Sequence, residues 1–211
     1  GGTSPYRGEK NTNWEGGYRV PTAMRWPGTI KPGTVNNDLF AHEDMLPTLL
    51  AAAGVPDVKE QLLKGMKVGN KTFKVHLDGY NITDALAGKA ASPRHEFFYF
   101  NDDGSLVALR YDQWKLVFAE QRAHGFAVWE EPFVPLRLPR LFNLRADPFE
   151  ESEHGWDNWQ WRVDHAFLLV PAQQYVGKFL ATFKEYPPSQ KVGSFSLDQV
   201  MQSLTRGAGD K

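Results

Sequence analysis

The stretch Gly8-Glu9-Lys10-Asn11-Thr12-Asn13-Trp14-Glu15-Gly16-Gly17-Tyr18-Arg19-Val20-Pro21 carries the residue types and spacing best suited to chemistry. Lys10 lies between Gly8 and the Gly16-Gly17 pair, on backbone that can approach a ligand closely because glycine has no Cβ. Its ammonium is a compact point charge suited to an oxyanion. Glu15 and Arg19 are spaced to pair across the Gly-Gly bend and stiffen it. The alternative is a surface lysine in a glycine-rich loop. Other chemistry is scarcer. The six histidines (His42, His76, His95, His124, His154, His165) show no metal-ligand spacing. The chain has no Cys, which removes disulfides, zinc–thiolate clusters and a thiol nucleophile. Asp102-Asp103 would suit Ca²⁺ as paired carboxylates, but lying between two strong strand signals and followed by Gly104 they read as a turn.

The elements that must position this loop follow from pattern. Thr22–Trp26 reads as a short strand closed by Pro27-Gly28. Asp44 can cap a helix to about Ala53, with Gly54 as the stop, and Met45, Leu46, Leu49, Leu50 and Ala53 then share an apolar face expected to be buried. Residues 58–74 are lysine-rich and glycine-interrupted, which predicts a solvated excursion with one helical turn. A short helix is expected around Thr83–Leu86. Glu96–Phe100, Leu106–Tyr111 and Trp114–Phe118 are aromatic and β-branched runs joined by hairpin-length turns, which predicts an antiparallel meander. Leu141–Leu144 is expected to add a fourth strand after a proline-punctuated loop. A helix over Ala172–Tyr186 places Val176, Phe179, Leu180 and Phe183 on one face, and Pro187-Pro188 ends it. Thr205–Lys211 reads as a frayed tail.

The 211 residues carry 24 Lys and Arg against 25 Asp and Glu, so bulk charge does not favour a nucleic acid partner. Hydrophobic residues make up 41% and aromatics 13%, enough for a globular core. No apolar run approaches the roughly 18 residues of a membrane span, so no membrane partner is expected. Asn70-Lys71-Thr72 and Asn81-Ile82-Thr83 fit a glycosylation sequon. Trp129, Trp156, Trp159 and Trp161 read as core or interface residues, with sugar stacking as the alternative.

The block from Gly8-Glu9-Lys10 through Trp14-Glu15-Gly16-Gly17-Tyr18-Arg19-Val20-Pro21, with Trp26-Pro27-Gly28, resembles the second signature region of the sulfatases, within the alkaline-phosphatase superfamily. Collinear blocks follow: Asp44-Met45-Leu46-Pro47-Thr48-Leu49-Leu50 to Gly54, Asp78-Gly79-Tyr80-Asn81, Trp114-Lys115-Leu116, Leu141-Phe142-Asn143-Leu144 and Asp147-Pro148-Phe149-Glu150. The resemblance implies an α/β, alkaline-phosphatase-like fragment. Residues 1–89 would be the end of the large mixed-sheet catalytic domain. Residues 90–211 would be an α+β subdomain with a four-stranded antiparallel sheet and a packing helix.

By the same resemblance, Lys10 contacts the sulfate ester oxygens as a catalytic and substrate-binding residue. His124, in the loop after the Trp-Lys strand, donates a proton to the leaving alcohol or binds substrate. The family nucleophile is a formylglycine made from a Cys or Ser at the head of a Cys/Ser-x-Pro/Ala-x-Arg motif, and calcium is held by Asp and Asn. Thr3-Ser4-Pro5-Tyr6-Arg7 mimics that motif but begins with Thr, so both cofactors are expected outside this chain and no metal ligand is assigned within it. The resemblance then implies the C-terminal part of a sulfatase, inactive alone and completed by a missing N-terminal half. A sulfated small molecule or glycan would be the substrate, and the location periplasmic or secreted. A non-catalytic module for sulfated glycans and a phosphoester or phosphonate hydrolase are the competing readings.

Overall fold

In the computed structural model, which describes residues 4–188, the glycine-rich loop leads into a single helical turn, α1 (Glu15–Tyr18). From Arg19 to Trp26 the backbone is irregular and mostly exposed. The strand expected at Thr22–Trp26 is therefore absent, because no neighbouring strand among the described residues offers its hydrogen-bonding edge.

After a short 3₁₀ turn at His42–Asp44, helix α2 runs over Met45–Ala52, and the chain turns away at Gly54 with φ +94°. The helix does not bury the expected leucine face: Pro47 and Thr48 are buried, while Leu46 and Leu49 are exposed. A polar anchor sets this rotation. Thr48 Oγ1 donates to Asp44 O at 2.7 Å and accepts the Ile82 N–H at 3.0 Å, which turns that side of the helix inward.

The lysine-rich excursion is more ordered than its composition suggests. Helix α3 (Val58–Lys64) buries Val58 and Leu62, and β1 (Met66–Val68) pairs with β2 (Lys71–Phe73) across Gly69-Asn70, where Gly69 has φ +60°. The turn α4 (Thr83–Leu86) forms where expected.

The meander is the centre of the described structure. Strands β3 (Glu96–Phe100), β4 (Leu106–Tyr111), β5 (Trp114–Glu120) and β6 (Val134–Asn143) make one antiparallel sheet in that order. Asp112 takes φ 49° in the turn that sets Tyr111 opposite Trp114. β6 is longer than Leu141–Leu144 and includes Pro135 and Pro139, which an edge strand tolerates because one row of its N–H groups needs no partner. Pairing shifts between Val117 and Ala119, a bulge at the end of β5 where Ala119 and Gln121 bond Asn13 of the glycine-rich loop.

The alternation of β3 decides what covers each face. Phe98 and Phe100 meet helix α6 (Leu169–Thr182) and the turn after it: Phe98 stacks on Phe179 with centroids 3.8 Å apart, and Phe100 lies 6.4 Å from Phe183. Phe97 and Tyr99 point the other way and meet Tyr18, at 5.7 and 4.6 Å. Trp14 joins Tyr99, Val107, Ala108, Val117, Phe142 and Leu144 in the core. α6 begins earlier than expected, with Pro171 tolerated in its first turn, and Leu180 is exposed rather than on the packed face. Ahead of it, α5 (Asn158–Asp164) has no counterpart in the sequence reading. Thr3, with its motif-like spacing, and the tail at Thr205–Lys211 lie outside the described residues.

Candidate functional site

The loop that carries Lys10 is knitted to itself and to the sheet. Arg7 lies with its guanidinium carbon 3.7 Å from the Trp14 ring centroid, and the Gly16 N–H donates to Arg7 O at 2.6 Å. A Cβ on Gly16 would sit 2.5 Å from the carbonyl oxygens of Tyr6 and Arg7, and one on Gly17 would sit 2.6 Å from Glu9 O. The Gly-Gly pair thus lets the chain approach its own backbone closely. Asn13 is fully buried: its Nδ2 donates to Ala119 O at 2.9 Å and its Oδ1 accepts the Gln121 N–H at 3.3 Å.

Beneath the loop lies a buried charge cluster. Lys115 Nζ, completely shielded, donates to Asn13 O at 2.7 Å and lies 3.1 Å from Glu15 Oε1 and 2.7 Å from Glu150 Oε1. Glu15 also accepts from Tyr99 Oη at 2.6 Å and from Arg19 Nε at 2.7 Å, the pair its spacing predicts, while Arg110 stands 3.2 Å away. The Glu15 N–H donates to Glu150 Oε2 at 2.7 Å. Burial pushes the Glu15 carboxyl up, but Lys115, Arg110 and the bonds from Tyr99 and Arg19 outweigh it and hold it at about 2. For Glu150 burial wins, and its carboxyl is raised. Burial beside Glu15 holds the Tyr99 phenol well above its usual value. The cluster therefore fixes the Lys10 loop on the sheet.

Lys10 and His124 come to one surface from distant parts of the chain. Glu9 links them: its Oε1 accepts the Gly125 N–H at 2.7 Å and lies 3.8 Å from His124 Nδ1. Lys10 is exposed, and its Nζ sits 5.4 Å from the centroid of the Trp129 ring. His124 is exposed as well, at 88% of its side chain. Concavities of about 270 and 470 Å³ lie elsewhere, the first between the Glu43–Tyr80 segment and α6, the second around Asp38, Arg110 and Asp112; Lys10 and His124 line neither.

Asp102 and Asp103 occupy the β3–β4 turn, closed by the Gly104 N–H to Asn101 O bond at 3.0 Å, as their surroundings predict. Of the four later tryptophans only Trp161 is packed, 6.1 Å from Trp114 and 4.3 Å from His165. Trp129, Trp156 and Trp159 are at least half exposed, so the core reading does not hold for them. Trp159 stands on α5 and Trp156 in the turn before it, both facing solvent. Among the described residues, no group of three or more His, Cys, Asp or Glu side chains could hold a metal ion.

A second buried ion pair secures the α2 region. Arg94 donates to both carboxylate oxygens of Asp44, at 2.8 and 2.6 Å, and Asp44 also accepts the N–H groups of Ala41 and Tyr80. Asp44 thus stands at the head of α2 without capping it by its side chain, because the carboxylate turns back toward Arg94.

The sulfatase family model matches residues 1–55, the segment that holds this loop and α2. An arylsulfatase of Hemicentrotus pulcherrimus is 34% identical over 59% of this chain and 20% of its own length. Human arylsulfatase A is 31% identical over 67% of this chain and 27% of its own. The crystal structure of PsFucS1 sulfatase from Pseudoalteromonas sp. superposes with a TM-score of 0.66 and 28% identity, covering 88% of this chain and 34% of that one. The chain belongs to the sulfatase family. This sulfatase chain spans 20% and 27% of the length of those two curated relatives. The blocks that carry the resemblance meet in space: Glu15, Lys115 and Glu150, from three of them, form the buried cluster, and Asp44 and Tyr80, from two others, share a hydrogen bond. Tyr99, Arg110 and Arg94 complete these clusters and carried no motif in the sequence. Glu9 did stand in a motif, but nothing in the sequence places it beside Gly125.

Proposed function

We propose that this chain is the C-terminal part of a sulfatase that hydrolyses a sulfate ester, with Lys10 as its contribution to the reacting group. What supports the reading is family membership together with one juxtaposition: Glu9 holds the turn of His124 against the loop of Lys10. In this reading the Lys10 ammonium binds an ester oxygen and opposes the negative charge that grows as the S–O bond breaks, an effect worth several kcal/mol when preorganised in a dry site. His124, whose Nδ1 lies 3.8 Å from Glu9 Oε1, supplies a proton to the departing alcohol oxygen. The open position of both residues fits a site whose opposite wall comes from polypeptide outside this chain. The formylglycine and calcium that the family implies find no residues here to form or hold them, since neither a Cys nor a Ser heads the required motif in this chain and its described residues offer no metal cluster. Both are assigned to the remainder of the protein, and no step is derived through them.

The test is Lys10→Ala in the full-length protein, assayed by sulfate release. A fall of about a hundredfold or more in turnover is expected, since one preorganised charge-stabilising group contributes about that much. Activity within twofold of wild type would remove Lys10 from the reaction.

A further inference from the structure

Five residues after His124, the chain exposes a large aromatic ring on an anchored turn. The 3₁₀ turn Gly125–Trp129 is pinned from below by Val128, whose side chain is buried and whose carbonyl accepts Asn11 Nδ2 at 2.5 Å and Gln121 Nε2 at 3.3 Å. Its other end is pinned by Glu9 through the Gly125 N–H. Two of these anchors, Glu9 and Asn11, flank Lys10 in sequence. On this fixed turn Trp129 is 51% exposed and Phe126 77%. The Trp129 ring stands 5.4 Å from the Lys10 ammonium. An aromatic face beside an exposed cation matches a ligand that joins an apolar ring face to an anionic group. A sulfated pyranose is such a ligand: its C–H face stacks on an indole while its sulfate meets an ammonium.

We propose that Trp129, supported by Phe126, is the sugar-binding platform of the site and that the substrate class is a sulfated glycan. This rests on the proposed role of Lys10 as the sulfate contact. Trp129 holds the ring that bears the ester, and Lys10 holds the ester itself. Trp129 is a binding residue and takes no part in bond breaking.

Calorimetry on the full-length protein tests the division of labour. The probes are a chondroitin sulfate disaccharide and a sulfated galactose disaccharide, each with its desulfated counterpart. Trp129→Ala is expected to weaken both the sulfated and the desulfated form of the sugar that binds by about tenfold, the order of one aromatic stacking contact, while Trp129→Phe keeps most of the affinity. Lys10→Ala is expected to weaken the sulfated form alone. Sulfate-release kinetics should show the Trp129→Ala effect in KM rather than kcat.

Affinities within twofold of wild type in Trp129→Ala would overturn the platform, as would failure of the wild-type protein to bind either sugar. So would a loss of thermal stability that Trp129→Phe does not repair, because it would mean that other polypeptide covers the ring. If Trp129→Ala weakens both forms and Lys10→Ala weakens neither, the platform stands and the role of Lys10 falls.

Discussion

Lys115→Met removes the cation that sits between Glu15 and Glu150 while keeping much of the side chain's volume. Lys115 is fully shielded, and its loss leaves two carboxylates facing each other out of water. Breaking a buried pair in this way destabilises by about 3–5 kcal/mol. The pH dependence carries the sharper information. In the wild-type chain Glu15 is held at about 2, against an ordinary 4.5, so its ionised form contributes about 3 kcal/mol above pH 4.5 that is lost as pH falls toward 2. Glu150 acts in the opposite sense: its carboxyl is raised, so its ionised form opposes folding at neutral pH, and acid relieves that opposition. Without Lys115, the strongest of the attractions opposing burial at Glu15 is gone, and the Glu15 carboxyl rises. Acidification from pH 7 to 4 should then stabilise the variant. Amide exchange at Gly16, Arg19 and along β5 in the full-length protein reads the opening free energy of this region at each pH. A variant destabilised by less than about 1 kcal/mol, with an acid response parallel to wild type, would refute the reasoning.

Two further perturbations address the framework of the site. Gly16→Ala drives a methyl group to 2.5 Å from two backbone carbonyl oxygens. Sulfate release should fall at least tenfold while β4 and β5 keep their amide protection, and full activity would show that the loop tolerates the displacement. Arg94→Lys keeps the charge but loses the two-pronged contact with Asp44, so amide protection around Tyr80 should fall by about 1.5–3 kcal/mol, the range for a hydrogen bond to a charged group. Unchanged exchange there would show that the contact is not limiting.

Much of the sheet was legible because its signal is local. Glu96–Phe100 and Leu106–Tyr111 end where the aromatic and β-branched runs end. Elements whose orientation depends on distant partners were not legible. The leucines of α2 have helical spacing, yet Thr48 and its bond to the Ile82 amide decide which side turns inward. Pro135 and Pro139 argued for a loop, and only their place on an edge strand allows β6 its length. In the site, the Glu15–Arg19 pair could be read from spacing, since both ends lie in one short stretch. The Glu15–Lys115–Glu150 cluster could not, because a lone lysine in a strand and a lone glutamate after a turn carry no sign that they meet. Trp129 shows the same limit: composition favoured burial, and its exposure follows from a turn whose anchors, Glu9 and Asn11, lie far away in the chain.

The central claim, that Lys10 meets a sulfate ester, is tested most directly by a crystal structure of the full-length protein with a sulfated disaccharide bound. The account predicts Lys10 Nζ within about 3 Å of a sulfate oxygen, the span of a charge-assisted hydrogen bond, on the same side as His124. A bound ester with Lys10 still directed into solvent, and the sulfate held wholly by other groups, would contradict it.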